Sequence, residues 1–322
     1  MNFFKNISLF IISFLLIISL LEIFLRFLGE QPRKENLARK DDPIIYKSDQ
    51  QLGWLHKPGS YSFKPWSKEG KITNFTINEN GSRKISELEN NDSRLIFIGG
   101  SLTQGWAVDD NENFVSFYNK LNPNIDILNF GVGGYGAYQS MLLQEKIIRK
   151  FENINHFIYG FISHHELRNV AAGSWLYLLN KYSNRGHISV PFASIDKNGQ
   201  LKRNKPISYF KLPFSEKIVL IAKIEKRIMK LKSSSREKKK FEISKLIIQK
   251  MNDNSREINS KFTVLLLDIS KENLDKYNEF FIKKNINFIH CPFPINQIIK
   301  GEGHPNEIAH MDVASCLDKN LK

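Results

Sequence analysis

From residue 95 onward the chain alternates short apolar runs with amphipathic stretches, and few folds accommodate that rhythm. The runs 95–98, 125–130, 156–162, 262–267 and 286–290 have the length of strands. Residues 114–121, 137–150 and 274–284 have helical periodicity, and after Pro305 the residues Met311, Ala314, Leu317 and Leu321 recur near helical spacing. Strand–helix–strand repeats with right-handed crossovers build a parallel sheet covered on both faces. The expected class is therefore α/β, a three-layer α/β/α domain with a mostly parallel sheet. At 322 residues and 41% apolar composition, the chain is large enough to bury such a core.

The apolar runs end in unusual turns. After 95–98 comes Gly99-Gly100-Ser101-Leu102-Thr103-Gln104-Gly105, and after 125–130 comes Gly131-Val132-Gly133-Gly134-Tyr135-Gly136. Glycines at a strand's carboxyl end admit a tight turn and a close backbone approach to a ligand. Ser101 is thus placed to act as a nucleophile, or to cap a helix or cradle phosphate. A Walker phosphate loop is disfavoured, because no Gly-Lys-Ser/Thr ending follows. Gly131, Gly133 and Gly136 match dinucleotide spacing, but they do not follow the first strand and no clear acid lies about 20 residues on. The third run closes with His164-His165-Glu166-Leu167-Arg168-Asn169. Neighbouring side chains point apart and no His-x-x-x-His occurs, so a metal is disfavoured; the His165 imidazole is instead a candidate oxyanion donor. Near the carboxyl end, Glu302-Gly303-His304-Pro305-Asn306 offers a base with an acid to orient it. Alone, His304 reads as a surface residue beside a helix start.

The flanks are distinct. Residues 7–21 carry no charge, and apolar character persists to Leu28 past Glu22 and Arg26. That is enough for a bilayer-spanning helix, and no small-x-small cleavage site follows. The expected organisation is an anchor over 1–29, a polar linker over 30–50 and a small β-rich region over 51–92, which carries an Asn80-Gly81 turn signal. The α/β domain over 93–322 is interrupted at about 170–260 by an insertion with a hairpin near 196–199 and two basic amphipathic helices, 215–232 and 237–251. The net charge of +14 suggests nucleic acid or an anionic membrane surface. The basic residues are scattered or lie in the run 230–245, a solvated helix face, so no nucleic-acid partner is expected. Cys291 and Cys316 are the only cysteines, and sequence leaves their pairing open.

Taken together, Gly99-Gly100-Ser101-Leu102-Thr103, Asn129 with Gly131 and Gly134, and Glu302-Gly303-His304-Pro305-Asn306 resemble the motif blocks of the SGNH (GDSL-like) hydrolase superfamily. Leu52-Gly53-Trp54 and residues 77–83 are similar to the amino-terminal patch of its membrane-anchored bacterial members. The resemblance covers roughly 50–322 and implies a flavodoxin-like domain, with Ser101 as nucleophile, His304 as base and Glu302 as orienting acid. It also implies an oxyanion hole from Ser101, Gly134 and His165, with no cofactor and no metal. Three positions depart from the pattern: Gly100 and Glu302 each stand for an aspartate, and His165 for an asparagine donor.

The expected function is a serine esterase or O-acyltransferase, acting on acyl, chiefly acetyl, esters of a carbohydrate or lipid through an acyl-serine intermediate. The alternative is an inactive scaffold or glycan-binding protein of an envelope assembly. A single-pass protein of the bacterial inner membrane with an extracytoplasmic domain is expected. Yet Arg33, Lys34, Arg39 and Lys40 after the span, against Lys5 before it, would by themselves favour the opposite orientation.

Overall fold

The structure, a computed structural model, describes residues 2–34, 43–65, 71–85, 93–182 and 188–321. The middle of the expected linker, with Arg39 and Lys40, and the end of the β-rich region lie outside the described residues.

A 26-residue helix, α1 (Asn2–Phe27), comes first. Two antiparallel ribbons follow: β1 (Tyr46–Asp49) pairs with β2 (Gly53–His56), and β3 (Gly59–Phe63) with β4 (Thr73–Ile77). The α/β domain then runs β5 (Arg94–Gly99), α2 (Ser101–Gln104), α3 (Phe114–Leu121), β6 (Asp126–Gly131), α4 (Ala137–Ile148) and β7 (Ile154–Ile162). After it come α5 (His165–Asn169), α6 (Gly173–Tyr182), the hairpin β8 (Ser189–Ile195) and β9 (Leu201–Ser208), α7 (Val219–Glu237) and α8 (Lys240–Glu257). The chain closes with β10 (Lys261–Asp268), α9 (Lys271–Lys284), β11 (Asn287–His290), a 3-10 turn at Ile295–Gln297 and α10 (Glu307–Asn320).

Five strands form the central sheet in the order β11-β10-β7-β5-β6, all parallel. Alternate residues of β5 serve opposite faces, as a doubly covered strand requires. Ile96 and Ile98 pack with Tyr138 and Met141 of α4, Ile243 and Ile247 of α8, and Phe281 of α9. Leu95 and Phe97 pack with Phe114 of α3 and with Val313 and Leu317 of α10. The expected three-layer architecture is thus present, and strand order reverses between β5 and β7, where α/β sheets open a crevice at their carboxyl ends.

The segment 170–260 divides. Helix α8 packs on α4 and β10 as the crossover helix of the sheet, whereas α6, the hairpin and α7 lie outside the alternation. The hairpin turn falls at 196–200, as its Asn-Gly signal predicts.

Three histidines, His165 and His310 buried and His156 half-buried, give the fold an acid sensitivity. Burial pulls His156 down to about 4 and His310 to about 3, and holds His165 well below its ordinary value, the nearby charges adding to the effect. The unfolded chain takes up these protons near pH 6.5 while the native state does not. Stability is therefore full above 6.5 and falls as pH drops toward 4, by about 1.4 kcal/mol per pH unit for each histidine. The urea midpoint of the detergent-solubilised protein is expected to drop clearly between pH 7.5 and 5.5; an unchanged midpoint would contradict it.

Candidate active site

Gly99 ends β5 beside Gly160 of β7, and a Cβ on it would lie 2.9 Å from the Gly160 carbonyl oxygen. Only glycine allows the chain to turn there so sharply that the next helix begins at Ser101. As first residue of that helix, Ser101 keeps its N–H outside the helical ladder. Asn129 ties this turn to the end of β6: its Nδ2 donates to the Thr103 carbonyl at 2.9 Å, and its Oδ1 accepts from Gly131 N at 3.0 Å. Gly134 sits at φ +84° in the turn Val132–Tyr135, a left-handed position that favours glycine.

The C-terminal loop reaches the same sheet edge. Ile299 N donates to the His304 carbonyl at 2.8 Å and Asn306 N to that of Gln297 at 2.9 Å, folding 297–306 into a tight hairpin-like loop. Asn306 then caps α10 by accepting from Ala309 N at 3.0 Å. A Cys291–Cys316 disulfide closes the segment that carries this loop. A 25-residue closure of this kind contributes about 3.5 kcal/mol by restricting the unfolded chain.

The loop brings three expected residues together across 203 positions. His304 Nε2 lies 2.9 Å from Ser101 Oγ, and His304 Nδ1 lies 2.9 and 3.0 Å from the two Glu302 oxygens. Glu302 is nearly sealed from solvent and also accepts from the His304 backbone N–H at 2.8 Å. A carboxylate only accepts, so in the neutral ring Nδ1 carries the proton. Nε2 then presents its lone pair to the Ser101 hydroxyl, the arrangement a general base requires.

His165 takes a different place from its neighbours. Its ring is fully buried; Nδ1 lies 2.6 Å from Tyr159 Oη, while Nε2 has no hydrogen-bond partner among the described residues. Burial keeps Tyr159 neutral, its pKa pushed well above the ordinary value, and keeps His165 neutral as well. If Tyr159 donates, one group alone is left unpaired, the Nε2–H; the opposite polarity would strand both a hydroxyl proton and a ring lone pair. That Nε2–H faces Gly100, where a Cβ would lie only 2.8 Å away. Arg168 and the Tyr135 carbonyl border the same space, and Arg168 Nη1 donates to that carbonyl at 2.9 Å. Enclosure draws Arg168 down to about 10, and its guanidinium lies 4.6 Å over the Trp175 ring. Glu166 points elsewhere, accepting from Tyr277 Oη at 3.1 Å and pairing with Lys240.

Several supporting residues carry no signal in sequence beyond their type. Arg83, fully buried, pairs with Asp110 at 3.1 Å, donates to the carbonyls of Gln104, Gly105 and Val108, and lies 4.1 Å over the Phe75 ring. It thereby braces the loop that follows the Ser101 turn. Trp54 Nε1 donates to the Gly133 carbonyl at 2.9 Å, and Tyr135 Oη returns a bond to the Trp54 carbonyl. The amino-terminal ribbons are thus bolted to both glycine turns. Trp175 of α6 stands on the open side of Gly134.

No protein-family model and no curated protein matches the chain. Among solved structures, the chain is similar to a member of the lipolytic G-D-S-L family from Veillonella parvula, at 12% identity and TM-score 0.41, over 71% of this chain and 98% of that one. It is also similar to a psychrotrophic esterase from Pseudoalteromonas, at 9% identity and TM-score 0.40, over 71% and 98%. A carbohydrate acetylesterase family member from Sinorhizobium meliloti follows, at 6% identity and TM-score 0.40, over 71% and 97%. The chemistry open to this site therefore follows from its own geometry, a hydroxyl, an imidazole and a buried carboxylate joined at hydrogen-bond distance.

Proposed function

We propose that the protein is a membrane-anchored serine esterase or O-acyltransferase of the SGNH type, acting on small acyl esters of a carbohydrate or lipid. The observation that carries this is the Ser101–His304–Glu302 chain, with both links at 2.9 Å. Ser101 Oγ attacks the ester carbonyl while His304 Nε2 takes its proton, and Glu302 stabilises the imidazolium that forms. The tetrahedral oxyanion is held by the Ser101 and Gly134 amides, with the His165 Nε2–H, which faces Gly100, as a further donor. Collapse expels the alkoxide, which receives the proton from His304 and leaves an acyl-Ser101 ester. Water or a sugar hydroxyl then attacks that ester, again deprotonated by His304, and the acyl group leaves as acid or as a new ester. The half-buried Trp175 ring beside Gly134 offers an apolar wall against which a sugar face or acyl chain packs.

Helix α1 supplies the anchor: within Phe3–Phe27 the most apolar 18-residue window has a mean hydropathy of 2.7, and none of that window is buried in the protein. The Cys291–Cys316 bond suits an oxidising compartment, which favours a domain outside the cytoplasmic membrane over the orientation that the flanking charges alone would give.

The test is acetate release from p-nitrophenyl acetate and from O-acetylated oligosaccharides by the full chain, with an acetyl-acceptor sugar present in parallel. Wild type is expected to release or transfer acetate and Ser101→Ala is not. Equal rates for the two proteins in both assays would contradict the assignment.

A further inference from the structure

The anchor helix does not simply trail from the domain. The Glu22 carboxylate accepts from the Val219 and Leu220 backbone N–H groups, both at 2.9 Å, and so caps the start of α7. Arg26 pairs with Glu22 at 2.8 Å and donates to the Lys217 carbonyl at 2.7 Å. One helical turn beyond, Glu30 pairs with Lys223, and the buried Arg33 pairs with Glu225 at 2.9 Å and with Ser215 Oγ at 3.0 Å. The two charges that interrupt the apolar segment are thus spent on the domain. Phe24, Phe27 and Leu28, by contrast, are 55%, 86% and 59% exposed and continue the apolar surface past Glu22.

This docking fixes where α7 stands relative to a bilayer. At about 1.5 Å per residue, some 20 residues from Phe3 cross a core of about 30 Å and end near Glu22. The partners of Glu22, residues 217–220, therefore lie at headgroup level. Beside them the domain exposes Phe214 (58%) and Ile224 (46%), and about three helical turns further along α7 it exposes Leu231 (64%). Phe214 adopts φ +65°, an uncommon conformation for a bulky residue, and presents its ring to solvent. On α7, Arg227 shares the face of Ile224 and Leu231, and the exposed Lys230 and Lys226 follow further round the helix, while the acid between them and Ile224, Glu225, is buried against Arg33.

We propose that the start of α7 and the loop before it form a membrane seat. Phe214, Ile224 and Leu231 enter the headgroup–acyl boundary, and Lys226, Arg227 and Lys230 engage anionic lipid headgroups. A surface of apolar residues rimmed by Lys and Arg, continuous with a transmembrane anchor, matches a negatively charged bilayer in both chemistry and position. The seat holds the α/β domain at one orientation over the membrane instead of leaving it tethered by a flexible stem. It rests on α1 being an anchor.

The experiment uses the full chain in vesicles of phosphatidylethanolamine and phosphatidylglycerol, carrying one environment-sensitive fluorophore at Phe214→Cys, Leu231→Cys, Ile12→Cys or Ile282→Cys. Ile12 lies at the middle of α1 and reports insertion through its quenching by lipids nitroxide-labelled near the acyl-chain ends; Ile282, 73% exposed on α9, serves as the water reference. Headgroup-level nitroxide lipids are expected to quench the Phe214 and Leu231 labels at least twofold more than the Ile282 label. The difference is expected to shrink in Lys226→Glu/Arg227→Glu or when phosphatidylcholine replaces phosphatidylglycerol. Ile12 quenched while Phe214 and Leu231 match Ile282 would overturn the seat and leave the anchor standing. An unquenched Ile12 would overturn both. Shielding that depends on protein-to-lipid ratio and ignores headgroup charge would assign the face to a second copy of the chain and overturn the seat.

Discussion

Replacing Ser101 with alanine is expected to lower ester cleavage by about 10⁴- to 10⁶-fold, and His304→Ala by nearly as much, because in the proposed mechanism hydroxyl and imidazole act as one unit. The double substitution is expected to add almost nothing to either single one. Glu302→Gln is expected to cost about 10³- to 10⁴-fold, since an amide can donate to Nδ1 and turn the protonated nitrogen toward Ser101. The 2.9 Å links on both sides of the imidazole are what make these effects non-additive. Steady-state rates of the four variants on p-nitrophenyl acetate check the pattern. Independent, multiplicative losses would mean that the three groups do not share a proton.

The second large effect concerns Gly100 and His165, two of the three positions where the sequence departs from the motif blocks it resembles. A Cβ at residue 100 would lie 2.8 Å from His165 Nε2, 3.1 Å from the Tyr135 carbonyl oxygen and 3.2 Å from Arg168 Nη1. Aspartate there collides with the imidazole, and the histidine occupies room that the aspartate would need, so the two departures are one structural change. Gly100→Asp is expected to destabilise the protein by about 1–3 kcal/mol and to displace the Ser101 turn. His165→Asn is expected to destabilise it separately, by leaving Tyr159 Oη unpaired. In the double variant the collision is gone, so the combined loss should fall short of the sum by at least about 1 kcal/mol. Urea unfolding of the four proteins closes the cycle. Strict additivity would show that the two residues do not compete for the same space.

The sheet was legible because each buried strand is an apolar run cut off by glycine or polar residues, and helix α3 falls on 114–121 as its periodicity predicts. Ser101, Glu302 and His304 were legible because local sequence demands a glycine turn at one site and an acid two residues before a histidine at the other. The relation between Gly100 and His165 was not. It arises from β5 lying beside β7 with Gly99 opposite Gly160, a register set by sheet order and not by either segment alone. In sequence Arg83 is simply the last residue of the 77–83 patch, since nothing local announces that its guanidinium meets three carbonyls about 20 residues downstream. Glu22 looked like an interruption of an apolar span; its role as a cap needs a helix start almost 200 residues away.

The most direct measurement is reaction of the full chain with a fluorophosphonate, followed by mapping of the adduct by mass spectrometry. An imidazole-activated hydroxyl reacts covalently with such an electrophile, whereas an ordinary surface serine does not. A single phosphonyl adduct on Ser101 is predicted, absent in Ser101→Ala and strongly reduced in His304→Ala. No adduct, or labelling at Ser101 that His304→Ala leaves unchanged, would contradict the proposal that Ser101, His304 and Glu302 work as one catalytic chain.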